Sequence, residues 1–269
     1  MEKSQVTILG ARGGVPVSGM RYSRYGGATA CVLLETESEV LIFDAGTGIL
    51  NLPEEIWKQH RRVHLFVSHF HMDHLLGIPM CPMLFDEKAE VIFYAQNAER
   101  MKAAIDQMMQ SPLWPVGTEA FAAKISYVSL GDEDYRIGDN PVIVSNMPVS
   151  HPGGCLAYRA EWENHRIVYA TDCELDEEGC RRLEAFAYGA QLLIVDAQYT
   201  KEEYQRCRGY GHSDMETAAS LIVKSEVGQG LLFHHAPTRT DEQLGQMEQF
   251  YRKKEKRVGV AKEGDKIKL

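Results

Sequence analysis

Three common features are missing from this 269-residue sequence. No apolar run approaches the roughly 20 residues that a membrane helix needs, and the N-terminus lacks the basic segment followed by an apolar segment that marks a signal peptide. The six cysteines form no Cys-x-x-Cys pair, and nothing else in the sequence indicates the disulfide framework of a small secreted protein. We therefore expect a cytoplasmic protein without a membrane-spanning segment.

Positive charge is also scarce. Lys and Arg number 29 against 38 Asp and Glu, which gives a formal net charge of -9, whereas proteins bind phosphate backbones mainly through clusters of Lys and Arg. The densest basic run, at 252–257, follows an amphipathic stretch and is interpreted as a solvated helix C-terminus, where cations suit the helix dipole. The composition argues against a large nucleic-acid-binding surface and leaves a local basic groove open.

The order of predicted strands and helices indicates an α/β fold. Segments 31–35 and 40–43 are apolar and flank the polar turn 37–39, which predicts a β-hairpin. Further strands are predicted at 6–10, 63–67, 142–144, 166–169, 192–195 and 231–233, and helices at 98–109 and 215–224. Strands come first in runs and then alternate with helices, which favours sheets covered by helices. The sequence has no linker or internal repeat, so we expect residues 1–269 to form a single domain.

Four potential metal ligands follow the predicted strand 63–67: His69, His71, Asp73 and His74. In an extended backbone, side chains two residues apart point the same way, so His69 and His71 can converge on one cation. Asp73 and His74 lie at the following turn, where they can face a second cation. Imidazoles with a carboxylate suit Zn²⁺, with Mn²⁺ or Fe²⁺ also possible. The cluster predicts a metal site with zinc as the expected metal.

The His-x-His-x-Asp-His pattern at 69–74 resembles the signature of the metallo-β-lactamase superfamily of metal-dependent hydrolases. The resemblance implies a four-layer αβ/βα sandwich with the site at one edge of the sheets. It also implies that the remaining ligands follow in chain order. The sequence has matching residues in that order, namely His151, Asp172 and His234. The resemblance therefore covers nearly the whole chain.

By this resemblance the ligands divide between two divalent cations. One cation would be bound by His69, His71 and His151, the other by Asp73, His74 and His234, and Asp172 would bridge them. Asp44, after the hairpin, would not bind a cation itself but would orient a ligand histidine through a hydrogen bond. The last ligand has an alternative, because His235 adjoins His234. We assign His234 from its spacing of 22 residues from His212, and we expect His235 to form a nearby hydrogen bond or a substrate contact.

The segment 209–214 narrows the expected chemistry. It precedes the predicted helix 215–224 and resembles the His-Ser-Thr-type motif of the phosphodiesterase branch of the superfamily, which includes ribonuclease Z. The resemblance implies that His212 stabilises the phosphate or protonates the leaving group, with a structural role in the loop as the alternative. Asp196 could orient His212, and Asp73 could help to orient or deprotonate the attacking water.

Two departures argue against ribonuclease Z itself. Asp196 and Ala197 stand where ribonuclease Z has a His-Glu-Ala-Thr-type sequence. Ribonuclease Z usually also inserts a long tRNA-gripping arm between its third and fourth motifs, whereas here 21 positions separate Asp172 from His151. Together with the acidic net charge, these departures make tRNA an unexpected substrate.

The glycine-rich segments 10–19 and 25–27 resemble a bacterial group of small phosphodiesterases within this branch, some of which hydrolyse cyclic nucleotides. Arg12 could pair with the substrate phosphate or could stabilise its loop. The segment 108–115, which contains Trp114, could cover the cleft and stack on a base, or could pack in the core. Relatives are often dimers, so a homodimer is a further expectation.

The sequence thus predicts a two-metal-dependent hydrolase, favoured as a phosphodiesterase that acts on small phosphodiesters such as cyclic nucleotides. The alternatives are a hydrolase of a lactone, thioester or β-lactam bond, a ribonuclease Z-like nuclease, and a non-catalytic binding protein that retains the fold.

Overall fold

The computed structural model describes residues 4–139 and 141–269, which form two β-sheets and the helices packed on them. In chain order the strands are β1 (Gln5–Gly10), β2 (Cys31–Glu35), β3 (Val40–Phe43), β4 (Arg62–Phe66), β5 (Glu90–Ala95), β6 (Lys124–Ser129), β7 (Tyr135–Ile137), β8 (Val142–Val149), β9 (Cys155–Trp162), β10 (His165–Ala170), β11 (Leu192–Asp196), β12 (Gln229–Phe233), β13 (Val258–Val260) and β14 (Lys266–Lys268). The α-helices are α1 (Glu54–His60), α2 (Ala98–Met108), α3 (Glu177–Ala187), α4 (Lys201–Cys207), α5 (Met215–Lys224) and α6 (Asp241–Lys254).

Both sheets mix antiparallel and parallel strands. The first has the order β14-β1-β2-β3-β4-β5-β6, and its strands β3 to β6 are parallel. The second has the order β13-β12-β11-β10-β9-β8-β7, and its strands β10 to β13 are parallel. The predicted hairpin is confirmed, because β2 pairs antiparallel with β3. Each sheet therefore has one half in which the carboxyl ends of neighbouring strands share an edge.

The two sheets pack face to face around an aromatic core. Its largest fully buried members are Phe43, Phe66, Tyr158, Tyr169 and Phe233. Strand β3 illustrates the arrangement, since Leu41 faces the other sheet whereas Val40 and Ile42 face the helices. Side chains alternate along a strand, so a strand that is buried on both faces needs an unbroken apolar run.

Helices cover the outer face of each sheet. Helices α1 and α2 pack Trp57, Met101 and Ile105 against the first sheet. Helices α3 and α6 pack Leu183 and Leu244 against the second sheet, together with buried residues of α5. The order helix, sheet, sheet, helix confirms the predicted four-layer αβ/βα sandwich. Within residues 4–139 and 141–269, the helices are too short or too polar to cross a membrane.

Candidate metal centre

The candidate ligands lie in loops at one edge of the sandwich. Asp44 follows β3 and the segment 69–74 follows β4 in the first sheet, whereas Asp172 follows β10 and His234 follows β12 in the second. Parallel strands end at the same edge of a sheet, so the loops that leave them converge. The site therefore lies between the two sheets, and each sheet contributes part of it.

The structure brings the predicted ligands together in two groups. The first group contains His69, His71, His151 and Asp172, and the second contains Asp73, His74, Asp172 and His234. Within each group the potential ligand atoms lie within 4.8 Å of one another. This division is the one that the family resemblance implied.

Asp172 faces both groups with different oxygens. Its Oδ1 atom lies 3.2 Å from His74 Nε2 and 3.1 Å from His234 Nε2. Its Oδ2 atom lies 3.6 Å from His69 Nε2 and 3.8 Å from His151 Nε2. A carboxylate placed in this way can bridge two cations.

Hydrogen bonds on the far side of the imidazoles leave lone pairs directed into the site. His74 Nδ1 donates to Asp44 Oδ2 at 2.7 Å, and His151 Nδ1 donates to Gly211 O at 2.9 Å, so in the neutral, metal-binding form of each ring Nε2 carries the lone pair. His69 Nε2 is buried and has no hydrogen-bond partner among the described residues. A buried nitrogen without a partner is costly, and a cation bound there removes the cost. This donor set therefore fits divalent cations that accept imidazole and carboxylate.

Asp44 is the hydrogen-bonding centre behind the ligands. It is fully buried, and its φ of 61° is a conformation that aspartate tolerates better than most residues. Its Oδ1 accepts from Ser68 N at 2.7 Å, and its Oδ2 accepts from Ser68 Oγ, His74 Nδ1 and Tyr169 Oη. Ser68 Oγ in turn accepts from His69 Nδ1 at 3.0 Å. Asp44 therefore orients His74 directly and His69 through Ser68.

The buried charges of the centre change one another's pKa. Burial alone would raise the pKa of Asp73, but His74 and His234 bring it well below its usual range. Burial would also raise the pKa of Asp172, yet the imidazoles of His234, His74 and His69 hold it well below the ordinary value. Both carboxyl groups are therefore ionised at neutral pH, which is the form that binds a metal.

His212 lies against the second group. Its ring stacks on that of His234, with centroids 4.9 Å apart and an interplanar angle of 19°. Its Nδ1 donates to Asp196 Oδ2 at 2.8 Å, and Asp196 Oδ1 also accepts from Ser213 N at 2.9 Å. Burial would lower the pKa of His212, but Asp196 and then Asp172 outweigh it and raise the pKa to about 9. The protonated ring can therefore donate from Nε2 while Nδ1 stays fixed.

Arg12 lies inside the protein, which corrects the phosphate contact considered for it. Its side chain is fully buried, and it donates from Nε to Gly26 O at 2.8 Å and from Nη1 to Arg239 O at 2.6 Å. Its Nη2 atom lies 4.0 Å from Asp241 Oδ1. A guanidinium held in this way does not reach a substrate. Arg12 instead anchors the glycine-rich segment, which was the alternative.

His235 faces away from both cation groups. It is fully buried, and its Nε2 donates to Ala261 O at 2.9 Å. Burial lowers its pKa to about 3, so the ring is neutral at neutral pH. The neighbouring His234 belongs to the second group. The geometry thus favours His234 as the last ligand and leaves His235 a structural hydrogen bond without substrate contact.

A largely apolar pocket of about 400 Å³ adjoins the segment 69–74. Phe70 and Met72, which alternate with the metal ligands, line one side, and Leu113 and Trp114 line another. Met72 is 57% exposed and Leu113 is 67% exposed. Trp114 packs on the core and also lines this pocket. Its stacking on a base stays a prediction.

Several contacts at the site involve residues to which the sequence analysis gives no role. Gly14 N donates to Asp73 Oδ2 at 2.6 Å, and Gly211 O accepts from His151. Contacts made by backbone atoms leave no signal in residue type. Ser68 is different, because a hydroxyl directly before a ligand histidine is a visible candidate for orienting it.

Comparisons with known proteins agree with this architecture. The sequence model of the family described as "Beta-lactamase superfamily domain" matches residues 39–235. Ribonuclease Z of Haloferax volcanii is 21% identical, over 98% of this chain and 95% of that protein. Among solved structures, the metallo-beta-lactamase fold protein YhfI from Bacillus subtilis has a TM-score of 0.76 at 19% identity, with 100% of both chains covered. A diphosphatase from the PhnP family has a TM-score of 0.71 at 16% identity, with 99% of this chain and 98% of that chain covered.

The family match extends over more than half of the chain. It includes every residue of the two cation groups. The structural likeness independently shows the fold. The protein therefore belongs to the β-lactamase superfamily, as a metal-dependent hydrolase with the metallo-β-lactamase fold.

Proposed function

We propose that the protein is a two-metal-dependent phosphodiesterase that acts on small phosphodiesters such as cyclic nucleotides, with zinc as the resident metal. The observation that carries the proposal is the position of His212. Its ring lies against His234, and Asp196 holds its Nδ1 atom at 2.8 Å. In phosphodiester hydrolysis, charge develops on the phosphoryl oxygens and on the leaving oxygen, so an acidic donor beside the cations has a defined task.

The site residues divide the work of such a reaction. Two divalent cations in the two groups would lower the pKa of a shared water and neutralise charge on the phosphate. Asp73, held by Gly14 N at 2.6 Å, can accept a hydrogen bond from the attacking water and orient it. His212 can donate from Nε2 to a phosphoryl oxygen or to the leaving oxygen. Asp196 stabilises the protonated imidazole that makes this donation.

Three features favour a small diester over tRNA. Between His151 and Asp172 the chain forms only β9, β10 and their turns, so these described residues contain no projecting arm. The pocket beside Met72 has a volume of about 400 Å³, within the range of small-molecule sites, and Trp114 lines it and can contact an apolar or aromatic group. The net charge of -9 is unfavourable for a long polyanion.

The names of two similar proteins support phosphate-ester chemistry. One relative is called ribonuclease Z, and one structural neighbour is called a diphosphatase. At 21% and 16% identity these names support a proposal about the type of bond and leave the substrate to experiment.

Hydrolysis assays test the proposal. Metal-free protein is reloaded with Zn²⁺, Mn²⁺ or Fe²⁺ and assayed with bis(p-nitrophenyl) phosphate and a panel of cyclic nucleotides. We expect turnover that requires the added metal, and His212→Ala should lower kcat by about 10²–10⁴-fold without a change in bound metal. His60→Ala is the matched control, since His60 ends α1 and precedes the opposite end of β4.

The alternatives give different results. Absence of metal-dependent turnover of any phosphodiester would contradict the proposal. Hydrolysis of a lactone, thioester or β-lactam that survives His212→Ala would assign the site to carboxylic substrates. Two bound metals without turnover of any of these substrates would indicate a binding protein.

A further inference from the structure

The backbone of the glycine-rich N-terminal segment lies against the second cation group. Gly14 N donates to Asp73 Oδ2 at 2.6 Å, across 59 positions of sequence. Gly13 N donates to His235 O at 3.0 Å, directly after His234. The segment thus contacts the parts of the chain that carry two of the ligands of this group.

Gly13 leaves the space that the His234 ring occupies. A methyl group on Gly13 would overlap His234 Cε1 and Nδ1 and would lie 2.7 Å from Gln198 Oε1. Gly13 does not have a positive φ, so the shape of the loop does not require glycine there. Gly14 is the reverse case, with a φ of 74° and only the side chain of Pro237 nearby, at 3.9 Å. Contact with His234 is therefore the main constraint on a side chain at Gly13.

Arg12 holds the segment in place from the other side. Its buried guanidinium donates to Gly26 O and Arg239 O. Its backbone forms bridges to Thr29 and to His235. The segment therefore cannot move away from His234 without breaking buried hydrogen bonds, and any overlap must be absorbed by the imidazole.

We propose that Gly13 and Gly14 are positioning residues for the cation of the second group. Gly13 admits the His234 ring, and Gly14 holds Asp73 through its backbone N–H. The proposal rests on the two-cation part of the proposed function. Two of the imidazoles of the first group are held by other parts of the chain, since His151 donates to Gly211 O and His69 donates to Ser68 Oγ. The segment should therefore control one cation and not the other.

The substitution Gly13→Ala tests the proposal, and Gly189→Asn is its control, because Gly189 follows α3 and has a φ of 69° with open space around it. Asparagine tolerates positive φ and keeps the backbone N–H. Metal-free proteins are titrated with Zn²⁺ or Co²⁺ against a chromophoric chelator, and bound metal is counted by mass spectrometry. We expect two cations in the wild type and in Gly189→Asn. In Gly13→Ala the first cation should bind normally and the second at least about tenfold more weakly, with a changed Co²⁺ absorption spectrum for the second site.

The outcomes separate this inference from the proposed function. Fewer than two cations in the wild type would contradict the two-metal site itself. Two cations of wild-type affinity in Gly13→Ala would overturn the inference and leave the two-metal proposal intact. Recovery of the second cation in the double variant Gly13→Ala/Gln198→Ala would assign the overlap to Gln198 and also overturn it.

Hydrogen exchange on the wild-type protein provides a measurement that needs no variant. A cation in the second group would fix Asp73, and Asp73 accepts from Gly14 N. Amide exchange in a peptide covering 10–17 should therefore slow when the second cation binds and not when the first binds. Exchange that is insensitive to the second cation would overturn the inference.

Discussion

The substitution Asp44→Asn gives the most direct test of the support behind the metal ligands. Asp44 Oδ1 accepts one hydrogen bond, from Ser68 N, whereas Oδ2 accepts three. The least costly placement of the amide puts its NH₂ group at Oδ1 and leaves Ser68 N–H without an acceptor, which costs about 1–3 kcal/mol of stability. Loss of the carboxylate also makes His74 a poorer ligand. Removal of such a partner typically weakens metal binding by about 10–100-fold, or about 1.4–2.7 kcal/mol.

Two measurements separate these effects. Denaturant unfolding of the metal-free protein reports the lost hydrogen bond, and competition with a chelator reports the metal affinity. Tyr169→Phe is the control, because it removes one donor to Asp44 Oδ2 and keeps the carboxylate. It should cost about 1 kcal/mol of stability with little change in affinity. The reasoning would be refuted by wild-type affinity in Asp44→Asn, or by equal losses of affinity in the two variants.

Three further predictions concern the metals, the buried arginine and a buried histidine. Chelation should abolish turnover and lower the melting temperature by roughly 10 °C relative to protein with metal at about a thousandfold its Kd, and Zn²⁺ should restore both. Arg12→Met should lower the free energy of unfolding by about 2–4 kcal/mol, with KM unchanged for a phosphodiester, whereas a phosphate contact would raise KM. Burial lowers the pKa of His64 from 6.5 to about 4, so the unfolded chain binds the extra proton in this window. The contribution of neutral His64 to the free energy of unfolding is fully present above pH 6.5. It falls by roughly 3 kcal/mol as the pH decreases towards 4. The pH dependence of unfolding of metal-free His64→Gln should be weaker than that of the wild type by this amount.

Much of the fold could be predicted from patterns that are local in the sequence. The predicted segments 40–43 and 215–224 coincide with β3 and α5, because an apolar run and an apolar helical face signal their own burial. The sequence pattern predicts neither strand β9 nor helix α3. Strand β9 contains small alanines and charged residues that have little strand preference, and α3 buries only Leu183 and Ala187. The structure of these two elements therefore depends on tertiary packing more than on their own sequence pattern.

The site shows the same division between local pattern and tertiary contact. The ligands at 69–74 could be proposed because one short segment carries them. The sequence alone could not decide between the two roles considered for Arg12. An arginine next to glycines can direct its charge either to a phosphate or to buried carbonyl groups, and the residue pattern is the same in both cases. The contacts of Gly13 with His234 and of Gly14 with Asp73 join residues far apart in the chain.

The charge of the centre bears on the choice of substrate. Asp44, Asp73, Asp172 and Asp196 are each at most 6% exposed, and so many carboxylates in one place are unfavourable without opposite charge. Two divalent cations would balance these four carboxylates, so the centre would oppose an anionic substrate much less than four unbalanced carboxylates do. A phosphodiester carries one negative charge, whereas a phosphate monoester carries about 1.5–2 at neutral pH. Under the proposed function, cations at this edge of the sandwich would let a chain of net charge -9 bind a singly charged diester more readily than a monoester.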